Sequence, residues 1–143
     1  MRELPTALLM FIAGRSAENR IMAALRAAGH ELSLPQARLV ARIAPDGNRL
    51  GDLAEQAQVT KQTATALVDR LEAAGYVERV PDPSDGRARL VRLAPRAVAL
   101  LPVARAEEQR IEEEWRAHLG ERRMAQLREA LEMLREITDP YQR

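Results

Sequence analysis

Two short apolar stripes lie near the middle of the chain, separated by only a few residues, and they strongly limit the folds that it can adopt. The first stripe covers residues 51–57 and the second covers residues 60–74, each with the three- and four-residue spacing of one helix face. So short a connection makes two helices cross steeply, and this requires small side chains such as Ala54 and Ala64 where they touch. The sequence therefore predicts a helix-turn-helix, with Gln58 in the turn at a place where glycine is frequent.

The second predicted helix has one apolar face and one polar face. In a major groove, glutamine pairs with adenine, threonine reaches base edges, and the methyl groups of alanine or threonine contact thymine. Cations at the edges of such a helix hold phosphates. The predicted major-groove surface consists of Thr60, Lys61, Gln62, Thr63, Thr65, Ala66, Asp69 and Arg70. The alternative is a surface helix with ordinary polar residues.

The stretch after this helix predicts two strands joined by a long, turn-rich loop. Residues 76–80 and 89–93 are the predicted strands. A strand pair directly after a helix-turn-helix forms a wing, and a narrow minor groove attracts a guanidinium because its negative potential is enhanced. We expect Arg87 to enter that groove, with Asp85 and Arg89 as further wing residues.

Two acidic residues in the loop oppose this interpretation, because a carboxylate that faces phosphate weakens binding. We expect one of Asp82 and Asp85, with Asp85 first, to pair with an arginine and so to fix the shape of the wing. The alternative for the whole segment is a solubilising loop.

Longer amphipathic patterns flank this centre on both sides. Residues 6–28 and 35–44 are predicted helices, and after Pro95 the helical pattern resumes, breaks at Gly120 and continues. The outer stripes exceed what a small centre can cover, so we expect them to pair between two chains in a homodimer. The acidic run of residues 107–114 is expected to be a solvated helix face.

These patterns predict a mainly α fold with a small β-hairpin wing, that is, a winged helix-turn-helix with dimerisation helices at both ends. We assign residues 1–32 to an N-terminal dimerisation helix, residues 33–95 to the DNA-binding unit and residues 96–143 to C-terminal dimerisation helices.

Composition excludes several classes of function. The chain has no cysteine, which rules out disulfides, thiolate catalysis and thiol-based sensing and is compatible with a cytoplasmic protein. His30 and His118 lie far apart, so neither a metal site nor a cofactor is predicted. No nucleophile–base pair or glycine-rich phosphate loop indicates an enzyme. No segment reaches the roughly 20 apolar residues of a membrane span. The net charge is only +1, so DNA binding must depend on where the arginines lie.

Residues 50–95 resemble the core of the MarR family (multiple antibiotic resistance regulators). The most specific segments are "VTKQTATALVDRLEAAGYVER" and "DPSDGRARLVRLAP". The resemblance implies a homodimeric transcriptional regulator on a pseudo-palindromic operator, by default a repressor because bound protein excludes polymerase. It also implies that the first and last helices form the dimer, while the second short helix and the wing enter the major and minor grooves.

The wing departs from the family pattern at two places. The family often has Asp-Arg-Arg where this chain has Asp85, Gly86 and Arg87, so one basic contact is missing. The family also often has Leu-Thr before the next helix, where this chain has Ala94 and Pro95.

The resemblance further implies that a small aromatic or phenolic molecule releases the DNA by entering a cleft between the dimer helices and the DNA-binding lobe. An arginine in that cleft would hold a carboxylate. The candidate lining residues are Phe11, Arg15, His30, Leu34 and Arg38. The alternative function is a helical dimeric interaction protein whose winged-helix core no longer binds DNA.

Overall fold

The computed structural model describes residues 2–141 and is mainly α-helical. Its helices are α1 (Thr6–Ala27), α2 (Leu34–Ala41), α3 (Leu50–Gln56), α4 (Lys61–Ala73), α5 (Pro95–Leu119) and α6 (Glu121–Thr138). Strands β1 (Val77–Asp82) and β2 (Asp85–Leu93) form an antiparallel hairpin between α4 and α5. The predicted fold class is therefore confirmed.

Helix α2 is shifted toward the N-terminus relative to its prediction. It begins one residue early because Ser33 forms a capping box: its Oγ accepts from the Gln36 N–H at 3.2 Å, and the Gln36 side chain accepts from the Ser33 N–H at 2.8 Å. It ends at Ala41, three residues before the predicted end. The N–H of Ala44 is bound instead by the side-chain oxygen of Asn48 at 2.7 Å, which closes a turn.

The helix-turn-helix between α3 and α4 follows the prediction closely. Gln58 takes the left-handed conformation of the turn, with φ 57°, and the N–H of Val59 donates to the carbonyl of Ala54 at 3.0 Å. Thr60 caps α4, since its Oγ1 accepts from the N–H of Thr63 at 3.1 Å. The small residues predicted at the crossing are buried, which lets the two helices approach.

The hairpin turn is much shorter than the predicted loop over residues 81–88. β1 continues to Asp82 and β2 starts at Asp85, so only Pro83 and Ser84 form the turn. The long-loop prediction was wrong because the Asp82 side chain closes the chain locally: its Oδ1 accepts from the N–H of Ser84 at 2.9 Å and from the Ser84 hydroxyl at 2.7 Å.

A bulge follows the turn in β2. Pro81 pairs with Arg89, but Asp82 pairs with Asp85, so the three residues 86–88 have no partner across the hairpin. Arg87 lies in this bulge, outside the regular ladder.

The loop before α3 adds a short edge to the hairpin. The N–H of Asn48 donates to the carbonyl of Val91 at 2.9 Å, and the N–H of Val91 donates to the carbonyl of Asn48 at 2.8 Å. Gly47 allows this approach: its φ is 88°, and a Cβ there would lie 3.0 Å from the Val91 oxygen. The wing is therefore attached to the residues that lead into α3.

One hydrophobic core holds the central elements together. Leu39, Leu53, Val68, Leu71 and Tyr76 are almost completely buried and come from α2, α3, α4 and the start of the hairpin. Burial of each such side chain contributes about 1.5–3 kcal/mol. Because these side chains share one core, α4 and the base of the wing behave as one body.

Helices α1 and α5 pack against each other through a buried carboxylate. Arg20 of α1 donates to Glu107 of α5 at 3.1 Å and also binds Glu114. Arg110 donates to the other oxygen of Glu107 at 2.8 Å. The expectation that residues 107–114 are a solvated face is therefore wrong for Glu107, which two arginines neutralise so that it can be buried.

Large apolar side chains remain exposed at the outer ends of the terminal helices. They are Leu4, Leu8, Leu9, Met10, Phe11 and Ile12 at one end and Leu131, Met133, Leu134 and Ile137 on α6. Exposed apolar surface of this extent marks an interaction site. Among residues 2–141, no helix is both long enough and apolar enough to cross a bilayer.

Candidate nucleic-acid interface

The outward face of α4 is exposed, and its threonine hydroxyl groups are already engaged within the helix. The Thr65 hydroxyl donates to the carbonyl of Lys61 at 2.9 Å, and the Thr60 hydroxyl donates to Thr63 Oγ1 at 2.9 Å. By contrast, no group among the described residues hydrogen-bonds the Gln62 side chain. In this conformation the threonines keep acceptor oxygens and methyl groups, while Gln62 keeps both donors and an acceptor.

Asp69 differs from the other predicted residues of this face because an arginine of the hairpin holds its carboxylate. Arg79 of β1 donates to Asp69 Oδ1 at 2.6 Å and to Glu72 Oε1 at 2.7 Å. Partial burial opposes the charge of Arg79, but the two carboxylates outweigh burial and raise the pKa of its guanidinium. The contact ties β1 to α4 and removes negative charge from the face.

The wing tip is held by a nearly buried aspartate, Asp82. Its Oδ2 accepts from Nε of Arg49 at 3.0 Å, while its Oδ1 binds Ser84. Hydrogen bonds from Ser84 lower the pKa of Asp82, Arg49 adds to the effect, and burial only partly opposes it. Asp85, the predicted shape-holder, also approaches Arg49, at 3.7 Å, but it is more exposed than Asp82 and the contact is longer. Its Oδ1 accepts from the N–H of Arg87 at 3.0 Å.

Four cations on α4 and the wing carry no ion pair within residues 2–141. They are Lys61, Arg70, Arg87 and Arg89, and all four are exposed. Most of the other arginines nearby are paired: Arg49, Arg79 and Arg92 each bind a carboxylate. The surface predicted to face DNA therefore holds cations whose charge is available to an external anion.

Three residues of this region were missed by the sequence predictions. Asn48 and Arg49 lie before a predicted helix in a connection without any motif, and Arg79 stands on a strand where exposed charges are ordinary. The one signal for Arg49 was the pair of aspartates in the wing tip, Asp82 and Asp85, which repel each other unless a cation lies between them. The partner that supplies it lies 33 residues from Asp82, so local spacing did not identify it.

A cavity of about 430 Å³ lies between α1, α2 and α5. Of the residues predicted for a ligand cleft, Leu34 and Arg38 line this cavity, together with apolar residues of all three helices. Nε and Nη2 of Arg38 both donate to Glu18 at 2.9 Å, which raises the pKa of Arg38 and lowers that of Glu18. Arg105 also lines the cavity and has no ion pair among the described residues.

The other three residues of the predicted cleft do not line this cavity. Phe11 is 63% exposed near the outer end of α1, and Arg15 binds Glu18 at 3.2 Å from outside the lining. His30 Nδ1 lies 2.8 Å from the hydroxyl of Tyr76, so the ring is used to join the α1–α2 connection to the core. Within residues 2–141, no three potential metal ligands lie together.

Comparison with known proteins agrees with this geometry. The sequence profile of the MarR family matches residues 30–88, which contain α2, α3, α4 and β1. The chain is 46% identical over 46 residues to the transcriptional activatory protein BadR of Rhodopseudomonas palustris. That match covers 32% of this chain and only 26% of the relative.

Two solved structures are similar over nearly the whole chain. The structure of MarR has a TM-score of 0.77 and 25% identity, and the match covers 95% of this chain and 92% of that one. A MarR family protein of Mycobacterium tuberculosis, solved in complex with salicylic acid, has a TM-score of 0.64 and 28% identity over 92% of this chain and 97% of its own. Over residues 30–88 the chain matches the model of the MarR family, and its winged helix-turn-helix fold is similar to that of MarR along nearly the whole chain.

Proposed function

We propose that the protein binds double-stranded DNA as a homodimer and regulates transcription from a pseudo-palindromic operator. The observation that carries this proposal is the set of unpaired cations on α4 and the wing, two elements that share one core. Unpaired exposed cations neutralise phosphates with little rearrangement and release the counterions of DNA. In this role the protein acts on chromosomal DNA in the cytoplasm.

Helix α4 is the proposed major-groove element. Gln62 is the leading candidate for a base contact, because its amide is unbound and matches the donor–acceptor pair of adenine. Lys61 and Arg70 are the proposed phosphate contacts of this helix. Asp69 is proposed to stay bound to Arg79 and to shape the face without pairing to a base.

The wing is the proposed minor-groove element. Arg87 lies in the bulge after the turn, and its guanidinium is exposed and has no acidic partner among the described residues. An A·T-rich minor groove offers the negative potential that draws in such a guanidinium. Arg89, the next cation along the strand, is proposed to bind phosphate.

The terminal helices are the proposed dimer interface. The exposed apolar residues of α1 and α6 are stabilised when another apolar surface buries them, and the same helices of a second copy of the chain supply that surface through two-fold symmetry. In this arrangement residues 1–32 and 96–143 form the interface, and residues 33–95 face the DNA.

The test is selection of bound fragments from genomic DNA by the purified protein, followed by footprinting. We expect a two-fold symmetric site with half-sites about one helical turn apart. Arg87→Ala is expected to weaken binding by about 5- to 150-fold, which corresponds to the about 1–3 kcal/mol of a groove contact. Failure to enrich any sequence, or an asymmetric single half-site, would contradict the proposal.

The cavity between α1, α2 and α5 is the proposed site for a small aromatic acid that releases DNA. Its volume lies within the range of about 300–1,000 Å³ that is typical of small-molecule sites. Arg105 is the proposed carboxylate partner, because Arg38 is already neutralised by Glu18. Salicylate is the first probe, since a relative was solved with it.

Calorimetric titration with salicylate tests this site. We expect binding that Arg105→Ala weakens by about tenfold or more, the scale of a charge-assisted hydrogen bond. Arg26→Ala removes an exposed arginine outside the cavity and serves as the control. Equal affinity of the three proteins would remove Arg105 from the site.

We propose repression, since a protein on a promoter excludes polymerase. If expression of a reporter gene from the regulated promoter falls when the regulator is deleted, the protein is an activator and the proposed repression is wrong.

A further inference from the structure

We propose that Arg49 is a positioning residue that sets the conformation of the wing and thereby the contribution of Arg87 to DNA binding. The inference rests on the proposed DNA-binding function, but one of its two tests needs no DNA. Arg49 belongs to neither α4 nor the hairpin. It precedes α3 as the N-cap residue and makes no capping hydrogen bond there with its side chain.

The guanidinium of Arg49 bridges the two strands at the wing tip. Its Nε and Nη2 each lie 3.0 Å from Asp82 Oδ2, and Nη2 lies 3.7 Å from Asp85 Oδ2. Asp82 ends β1, Asp85 begins β2, and the two are cross-strand partners. Like charges directly opposite each other destabilise a strand pair. Arg49 offsets that repulsion and so stabilises the pairing of Asp82 with Asp85.

The contact continues from Asp85 to the backbone of Arg87. Asp85 Oδ1 accepts from the N–H of Arg87 at 3.0 Å. Residues 86–88 have no partner across the hairpin, so this bond fixes backbone that the ladder does not hold. An Asp85 released from Arg49 would be free to turn away and to release Arg87.

Arg49 itself is well anchored to the body of the domain. The preceding residue, Asn48, exchanges two backbone hydrogen bonds with Val91, at 2.9 and 2.8 Å. The following residues form α3, whose Leu53 is completely buried in the core. The side chain of Arg49 is about half-exposed, and such ion pairs add little to global stability. We therefore expect its removal to loosen the wing without unfolding the domain.

The first test measures amide exchange in the free protein by NMR. In Arg49→Ala we expect exchange at Ser84 and Arg87 to accelerate by about fivefold or more, as expected when a hydrogen bond of about 1 kcal/mol is lost. Arg49→Lys keeps the charge but loses the fork that reaches two carboxylates, and should recover the protection only in part. Unchanged exchange at both amides in Arg49→Ala would overturn the proposal.

The second test is a double-mutant cycle of Arg49→Ala and Arg87→Ala on the selected operator. Arg49 and Arg87 form no direct side-chain contact, so independent roles would make their losses additive. We expect Arg49→Ala to weaken binding by about tenfold, and the double variant to be at most about twofold weaker than Arg87→Ala, because both remove the same contact.

Arg116→Ala is the control: it removes an ion-paired arginine far from the wing and should leave the affinity for the operator unchanged. Additive losses of Arg49 and Arg87, with intact circular dichroism, would overturn the proposal. If the unsubstituted protein selects no DNA, the proposed function fails, while the amide exchange still decides whether Arg49 orders the wing.

Discussion

DNA binding should weaken steeply with salt, by an amount set by the cations that have no acidic partner. Each protomer has four on α4 and the wing: Lys61, Arg70, Arg87 and Arg89. A homodimer doubles this number. Each phosphate contact contributes about −0.9 to the slope of log K against log salt, so we expect a slope of about −7. Between about 50 and 200 mM salt, the affinity should fall on the order of 10⁴-fold.

Single substitutions show how much each cation contributes to this slope. Arg87→Ala removes one cation from each protomer, so the slope should become less steep by about 1.8. The control replaces both members of a neutral pair on the same hairpin, Glu78→Gln with Arg92→Gln, whose charged atoms lie 2.6 Å apart. Because that pair carries no net charge, its loss should leave the slope unchanged.

Fluorescence anisotropy of a labelled operator duplex, titrated at several salt concentrations, measures these slopes. An unchanged slope for Arg87→Ala would show that Arg87 does not neutralise phosphate. An equal change in the neutral-pair control would show that the unpaired cations do not set the salt dependence. Either result would contradict the prediction that cations unpaired in the free protein set the salt dependence of binding.

Three further predictions concern stability and assembly. Gly47→Ala should destabilise the fold by about 1–3 kcal/mol, because a side chain is strained at φ 88°. Gly86→Ala has open space around it and should be neutral. Denaturant titrations measure both, and equal effects of the two substitutions would contradict this prediction. The lowered pKa of Asp82 stabilises the fold above the unfolded value of 3.8, and that contribution is lost as the pH falls through the folded pKa. The difference in unfolding free energy between the unsubstituted protein and Asp82→Asn should therefore narrow below pH 3.8, and a constant difference would argue against the depressed pKa. Ile137→Asp should convert dimers to monomers in sedimentation, while Ala73→Asp, at an exposed site of α4 outside the proposed interface, should not. A persistent Ile137→Asp dimer would exclude α6 from the interface.

The helix-turn-helix was readable from the sequence because its determinants are local. Ala54 and Ala64 mark the crossing, Thr60 caps α4, and the apolar spacing identifies the buried face. A helix repeats every 3.6 residues, so the sequence alone assigns each residue to a face. The same logic located the break at Gly120 and the apolar stripes of the terminal helices.

The wing was less readable because its shape depends on side chains that meet in space. The alternation of residues indicated strands, but the length of the turn followed from the bonds between Asp82 and Ser84. The predicted ligand cleft shows the same limit. Leu34 and Arg38 line the cavity between α1, α2 and α5, whereas His30 lies outside it and contacts the hydroxyl of Tyr76.

From the sequence alone one can read where most of the helices lie, which face of α4 is outward, and that arginines dominate the wing. Which of those charges are free depends on the folded structure. Arg49 reaches Asp82 across 33 residues and Arg20 reaches Glu107 across 87, whereas the guanidinium of Arg87 meets no carboxylate within residues 2–141. The face of a residue depends on backbone geometry over a few positions. Charge pairing depends on distances of a few ångströms between distant segments, and these exist only after the chain has folded.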